Sequence, residues 1–215
     1  MTETEPNLQD LTSALLAGNA DEAKQKAYAA LAKGSKQTEI LDAIVEAVNI
    51  VCDLQELGQY DQTKMASQES SVTSCLQILE EWLAKSEGRF NVKVTVGPVG
   101  LKSGALSSLA LSASLRSVGL RSISLGKTQT ALDLLRNSEE LNVDLVIPML
   151  TGDGDASLQN FTEAYQRGGF KNKFEVIPIA AGTTESVQGM TVARNSSEAI
   201  SKATEWAMRK KRAST

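Results

Sequence analysis

A glycine-rich turn that contains a lysine, Gly97–Gly104, is the first place in this chain where chemistry could occur. It reads Gly-Pro-Val-Gly-Leu-Lys-Ser-Gly and separates a β-branched run from a run of small residues. Backbone amides at a turn that opens a helix can hold an anion, and Lys102 adds positive charge. The turn is too short for the phosphate-binding pattern GxxxxGK[ST], and Leu101 stands where that pattern needs glycine. The sequence therefore predicts an anion contact here and argues against ATP hydrolysis.

A second candidate is the acidic, glycine-rich stretch Thr151–Asp155, which reads Thr-Gly-Asp-Gly-Asp. Two carboxylates so close together could bind a hard cation through their oxygens. Glycine-rich acidic stretches are also typical of ordinary turns. Both interpretations stay open for this stretch, and the turn is the more common one.

The chain contains no histidine and two cysteines, Cys52 and Cys75, which are not in CxxC spacing. Triads that use Ser or Cys with His are therefore excluded. A zinc or iron site built by this chain alone is not expected. General acid–base chemistry could fall only to carboxylates, lysine or tyrosine, and no paired constellation of these is evident.

The charge and hydropathy of the chain exclude several classes of partner. The net charge is −4, and the main basic cluster, Arg209–Arg212, is predicted to be a solvated helix end. No basic stripe is present for nucleic acid, and no apolar run has the roughly 18 residues that cross a bilayer. The acidic start Met1–Pro6 does not resemble a signal peptide. We expect a cytoplasmic protein with reduced cysteines and with neither nucleic acid nor membrane as a partner.

The first half of the chain, residues 7–86, shows helical periodicity throughout. Apolar residues recur every three or four positions in four segments, beginning near Leu8, Asp21, Thr38 and Met65. Gly18 and Gly34 end the first two segments, and Asn19 can cap the second. Four helices with short connections predict a small antiparallel bundle, followed by a linker at Lys85–Arg89.

From residue 91 to 209, short apolar strands alternate with helices. This alternation predicts a doubly wound, flavodoxin-like or Rossmann-like domain with five parallel strands. The predicted strands are Val92–Val96, Ile123–Leu125, Leu145–Met149, Phe174–Ile179 and Met190–Val192. The predicted helices are Ala105–Val118, Thr130–Leu141, Leu158–Gln166 and Ser197–Met208.

Four segments resemble the corrinoid methyl-carrier proteins and the cobalamin-binding region of methionine synthase. They are Ala14–Ala23, Gly58–Tyr60, Leu115–Gly119 and Ile123–Lys127. In that family a helical bundle, which serves as a cap over the corrinoid, precedes a five-stranded α/β domain, and the likeness covers nearly the whole chain. It implies a cobalamin cofactor and a methyltransferase subunit as partner.

The chain departs from this family at the residue that ligates cobalt. The family carries Asp-x-His-x-x-Gly in its first βα turn, and counting back from Gly119 places these residues at Lys102, Gly104 and Ser107. The resemblance therefore implies a corrinoid held without a protein ligand to cobalt. The family's Asp, which would orient the histidine, corresponds to Lys102 here. A carboxylate at this position would have no ligand to orient.

The resemblance also implies where a corrinoid would lie. The family's nucleotide tail enters a slot between the first α/β helix and the sheet, and the small residues from Ala105 to Ser114 would leave room for it. Close helix–sheet packing would need the same small residues. Tyr60 and Met65 would cover the upper corrin face, although bundle core is their more common role. The predicted cofactor-binding residues are Tyr60, Met65, Gly97, Gly100, Lys102, Ser103, Gly104, Ser107, Ser108, Leu125, Gly126, Thr151, Gly152, Ala180, Ala181 and Gly182.

Three hypotheses of function remain open from the sequence. The first is a corrinoid-binding carrier or accessory protein. In this hypothesis the chain is a non-catalytic subunit of a methyltransferase system rather than a stand-alone enzyme. The second is a degenerate domain that binds no cofactor and acts as a protein-interaction or regulatory module. The third, a conventional methyl-transfer subunit with another cobalt ligand, ranks last. An open crevice favours the first, and bulky residues that fill the crevice favour the second.

Overall fold

The chain divides into two compact units, with the division after Lys85. The computed structural model describes residues 8–100, 104–127, 129–150, 154–181, 186–187 and 190–213. Within these ranges no helix is both long enough and apolar enough to cross a membrane.

Four helices form the first unit: α1 (Leu8–Ala17), α2 (Ala20–Ala32), α3 (Gln37–Glu56) and α4 (Gln62–Ser86). Helix α2 begins where the sequence predicts, because the Asn19 side chain accepts a hydrogen bond from the Glu22 amide at 3.2 Å. The four-helix organisation predicted from periodicity is confirmed.

The core of the first unit comes from the apolar faces of its helices. Leu15, Ile40, Ile44 and Leu79 are completely buried. Cys75 is also completely buried, and this burial raises the pKa of its thiol to about 11, so it behaves as a small apolar residue.

The second unit holds a parallel sheet in the order β2-β1-β3-β4 among its described residues. The strands are β1 (Lys93–Val99), β2 (Arg121–Ser124), β3 (Leu145–Leu150) and β4 (Glu175–Val176). The helices are α5 (Gly104–Ser117), α6 (Ala131–Glu140), α7 (Gly154–Arg167) and α8 (Ser196–Ala213), with a short 3-10 helix at Phe170–Asn172.

Each face of the sheet is covered by two helices. Helices α5 and α8 pack on one face, where Leu111 and Ala203 join a buried cluster with Val94 and Ile147. Helices α6 and α7 cover the other face, where Leu134 and Phe161 pack on strand residues such as Val146. Because helices lie on both faces of a parallel sheet, the predicted doubly wound class is confirmed.

The predicted fifth strand, Met190–Val192, takes a different form. Met190–Thr191 (β6) pairs antiparallel with Ser186–Val187 (β5), and the parallel sheet is reached one step later through a single bridge between Ile179 and Ala193. An apolar run of three residues indicates an extended backbone but not its partner. A local hairpin closes a much shorter loop than a crossover to β4 does.

Candidate functional site

The topology places a crevice between β1 and β3. The chain leaves β1 towards α5 on one face of the sheet and leaves β3 towards α7 on the other. Ligands of open α/β sheets bind at such a switch point, outside the carboxyl ends of the strands. Gly100 follows β1 directly, with φ of +79°, a conformation that favours glycine.

Five of the predicted site residues lie outside the described residues. They are Lys102, Ser103, Thr151, Gly152 and Gly182. The structure describes two residues of the predicted acidic turn, the backbone of Gly154 and the whole of Asp155. Asp155 is exposed in the first turn of α7. Within the described part of the chain, no group of three His, Cys, Asp or Glu side chains could hold a metal ion.

A chain of hydrogen bonds joins α5 to the end of β2. The Gly126 amide donates to Ser124 Oγ at 3.3 Å, and Ser124 Oγ lies 2.7 Å from Ser108 Oγ. Ser108 in turn donates to the Ala105 carbonyl oxygen at 2.9 Å. Ser108 is buried, so the residue predicted to bind a ligand also ties the helix to the sheet.

The turn after β2 leaves open space beside the crevice. A Cβ atom on Gly126 would meet no other atom within 4 Å, and the residue has φ of +23°. Gly104 is buried at the first turn of α5, and Ser107 is half-buried one turn further on. The open space at Gly126 allows a ligand to approach the backbone closely there.

Gly97 does not belong to the turn where the sequence placed it. It lies inside β1, which extends to Val99, and a Cβ atom there would stand 2.6 Å from Leu134 Cδ1 and 3.0 Å from Gln129 Nε2. Gly97 therefore makes room for protein atoms of the α6 side rather than for a ligand. Leu125 also packs against the buried cluster on that side.

Gln129 was not predicted, yet it lies at the same end of the sheet. Its backbone bridges to Val99, and its amide nitrogen donates to the Pro98 carbonyl oxygen at 3.3 Å. Its Oε1 accepts from Asn137 Nδ2 at 2.9 Å, while Nε2 is buried without a hydrogen-bond partner. The sequence around Gln129, a glutamine between two threonines, does not predict that it lies beside the end of β1.

Ala180 and Ala181 do not line the predicted slot beside α5. Ala180 is buried in the cluster on the α6 and α7 face, because it alternates with Ile179 along the chain. Ala181 is exposed in a turn.

Tyr60 and Met65 belong to the first unit and are half-buried there. The Tyr60 hydroxyl donates to the Leu16 carbonyl oxygen at 3.1 Å, and Lys64 Nζ lies 4.1 Å from the centre of its ring. Tyr60 therefore has a structural role in joining the end of α1 to the start of α4.

The space between α5 and the sheet holds a packed core. We call the space between the sheet and the helices α5 and α8 the α5 slot, and Leu111, Met149 and Ile179 belong to the cluster that fills it. Leu111, Met149 and Ile179 are 2%, 7% and 9% exposed and belong to one buried cluster. Among the described residues at the strand ends, Gly126 leaves open space for a ligand, whereas the buried cluster in the α5 slot does not fit the inserted nucleotide that the resemblance implies.

The solved structures that resemble the chain include three proteins that bind or act on corrinoids. The monomethylamine corrinoid protein of Methanosarcina barkeri matches over 94% of this chain and 100% of its own, with a TM-score of 0.69 and 14% identity. A cobalamin-binding protein of Desulfitobacterium hafniense matches over 93% and 98%, with a TM-score of 0.47 and 15% identity. The methanol:cobalamin methyltransferase complex of Methanosarcina barkeri matches over 94% and 79%, with a TM-score of 0.48 and 13% identity.

No protein-family model matches the chain, and no curated protein matches it. The fold is the level at which the likeness holds. The chain has the architecture of a helical unit followed by a doubly wound α/β unit. This architecture matches the monomethylamine corrinoid protein over that protein's full length.

Proposed function

We propose that this chain is a corrinoid-binding carrier or accessory protein of a methyl-transfer system, and that it holds the corrinoid without a histidine ligand. The observation that carries the proposal is the match to the monomethylamine corrinoid protein over 94% of this chain and 100% of that one. A methyltransferase subunit is the proposed partner and the cytoplasm the proposed location.

Small residues and backbone amides at the mouth of the crevice would hold the cofactor. Gly104, Ser107 and Gly126 are the described residues that would let the ring approach the backbone. Lys102 remains an expected anion contact. When bound, the corrinoid supplies cobalt as the atom that accepts and releases a methyl group; the residues here bind and orient the ring.

Binding can be tested by titrating the protein with hydroxocobalamin and following its absorbance. We expect a saturable spectral change for the wild type. Ser107→Leu places a bulky side chain one turn from the crevice and should weaken binding at least about tenfold, equal to about 1.4 kcal/mol. Its cost to folding should stay within about 1–3 kcal/mol, as is typical of overpacking.

Ser114→Leu is the matched control. Ser114 lies on the same face of α5 two turns further from the crevice, is also half-buried, and donates to the Ala110 carbonyl oxygen at 3.0 Å. Its melting temperature should fall while its affinity stays that of the wild type. Equal losses of affinity in both variants would show that Ser107 acts only through folding.

The packed α5 slot favours a second candidate, a domain of this fold that binds no corrinoid and serves as an interaction module. Met149 and Ile179 fill the face of the sheet that would receive the nucleotide. A wild-type protein that leaves the hydroxocobalamin spectrum unchanged at every concentration would end the first proposal and leave this one.

A further inference from the structure

Strand β2 forms one edge of the parallel sheet, since β1 is its hydrogen-bonded neighbour among the described residues. The Arg121 amide donates to the residue before β1 and the Leu125 amide to β1 itself, at 2.9 and 2.8 Å. Because residues alternate along a strand, the backbone groups of Ser122 and Ser124 point away from the sheet. In the part of the chain that the structure describes, the amide and carbonyl groups of these two serines have no hydrogen-bond partner. The edge of β2 can therefore pair with one further strand.

An apolar side chain lies between these open backbone groups. Ile123 pairs with Thr95 of β1, whose hydroxyl is 2.7 Å from Ser138 Oγ of α6, so Ile123 faces the side of the sheet that α6 covers. Ile123 is only half-buried there, whereas Thr95 is completely buried. An apolar residue on an added strand would cover the exposed part of Ile123, because cross-strand pairs of apolar side chains stabilise a sheet.

Cations lie at both ends of this edge. Arg121 begins β2 and Lys127 lies just beyond its end, and both residues are exposed. Neither side chain has an ion-pair partner within the described ranges. An extended segment with carboxylates at its ends therefore complements the edge in charge. A second copy of the chain does not, because a twofold axis between two β2 strands sets the Arg121 end of one against the Lys127 end of the other.

We propose that the edge of β2 is a docking surface for an extended, acidic peptide segment of a partner protein. The segment adds an antiparallel strand whose backbone pairs with Ser122 and Ser124 and whose apolar residue lies opposite Ile123. Its carboxylates lie near Arg121 and Lys127. In strand addition of this kind the main-chain hydrogen bonds give affinity and the alternate side chains give specificity. Docking at β2 does not require a bound corrinoid, so it is tested separately from the function proposed above.

The capped, fluorescently labelled peptide Glu-Thr-Val-Thr-Glu is the probe, because its valine is spaced from each carboxylate as Ile123 is spaced from Arg121. Fluorescence anisotropy with the full chain should give a dissociation constant of about 10–500 µM, as suits a short peptide with few backbone hydrogen bonds. The peptide with lysine at both ends, and the peptide N-methylated at its central residues, should each bind at least about tenfold more weakly. No binding of the first peptide, or equal binding of all of them, would overturn the proposal.

Arg121→Glu should weaken binding of the acidic peptide at least about threefold at low ionic strength and strengthen binding of the lysine peptide. Arg167→Glu is the matched control, since it reverses an exposed arginine of α7, and both affinities should stay those of the wild type. Equal changes in the two variants would show that only the net charge of the chain matters, and would contradict docking at β2. The wild-type measurements decide the matter even if Arg121→Glu does not fold.

Amide hydrogen exchange followed by nuclear magnetic resonance locates the bound peptide. In the free chain the Ser122 and Ser124 amides should exchange faster than the hydrogen-bonded amide of Leu125. Saturating acidic peptide should slow both serine amides at least about tenfold. Protection confined to other residues would overturn the proposal. A dimer that forms as the protein concentration rises, and that the peptide dissociates, would assign the edge to a second copy and would overturn it as well.

Discussion

Glu198 shows how a single carboxylate fixes the start of α8. It accepts from Lys202 Nζ at 2.7 Å, from the Arg194 amide at 2.8 Å and from Arg194 Nε at 3.1 Å. These hydrogen bonds, that of Lys202 above all, lower the pKa of Glu198 from 4.5 to about 2. The carboxylate therefore stabilises the fold above about pH 4.5, and this contribution is lost as the pH falls towards about 2.

We expect Glu198→Gln to lower the melting temperature at pH 7. The difference from the wild type should shrink as the pH is lowered from about 4.5 towards about 2, where the wild-type carboxylate also becomes neutral. Glu205→Gln is the control, because Glu205 on the same helix accepts from Ser201 alone in the described contacts, at 3.4 Å. A melting-temperature difference that does not depend on pH would contradict an ionic origin.

At the residue scale the sequence predicted some positions well and others poorly. Asn19 was predicted as a helix cap and is one, because a cap depends on residues three positions apart. Gly97 and Ala180 were predicted to contact a cofactor, and in the structure both face the side of the sheet that α6 and α7 cover. The face of the sheet to which a strand residue points depends on where the strand begins and ends. The boundaries of strands and helices are the least reliable part of a prediction from sequence.

At the element scale, periodicity predicted all eight α-helices that the structure describes. Of the five strands that it predicted, four lie in the parallel sheet. The first predicted strand, Val92–Val96, was too short, whereas the hydrogen-bonded ladder agrees with the predicted extent of the fourth, Phe174–Ile179. Strand β1 continues through Gly97 and Pro98, and hydrogen bonds carry the ladder from β4 to Ile177 and Ile179. Glycine and proline normally predict a break, but here their backbone carbonyls and the neighbouring amides still complete the ladder.

The connection from α7 to β4 depends on Tyr165. Its hydroxyl donates to the Phe174 carbonyl oxygen at 2.9 Å. Burial, with a smaller effect of the Glu175 charge, raises the pKa of Tyr165 to about 12. Tyr165→Phe keeps the packing and removes this donor, so it should lower the free energy of unfolding by about 0.5–1.5 kcal/mol. Urea unfolding measures the change, and Tyr28→Phe, at a residue 53% exposed, should leave it unchanged.

On the scale of the whole molecule, the basic end of α8 helps to close the second unit. The sequence predicted Arg209–Arg212 to be a solvated helix end. In the structure Lys210 pairs with Asp144 at the start of β3, and Lys211 Nζ lies 3.3 Å from the Arg89 carbonyl oxygen. Composition could not reveal these contacts, because the residues are 66 and 122 positions apart.

Contacts just after Lys85 change where a protease is expected to cut the chain between its two units. The sequence predicts an exposed linker at Lys85–Arg89, but Glu87 pairs with Arg116 at 2.9 Å and Phe90 is buried. The Phe90 amide also donates to the Gly119 carbonyl oxygen at 3.3 Å. The division of the chain falls directly after Lys85, so these contacts all lie within the second unit.

Limited digestion with trypsin, followed by mass spectrometry, should therefore give a first separating cut at Lys85, in the last turn of α4 where a helix frays, rather than at Arg89. Proteases need an exposed segment that can adopt an extended form, and the backbone at Arg89 is held by Lys211. Cuts within Arg209–Arg212 would remove only the end of α8. Arg116→Ala releases Glu87 and should speed cleavage at Arg89, whereas Arg167→Ala, which breaks an exposed pair with Glu163, should not. Early cuts inside β1, at Lys93, would show that the second unit is not the compact body described here.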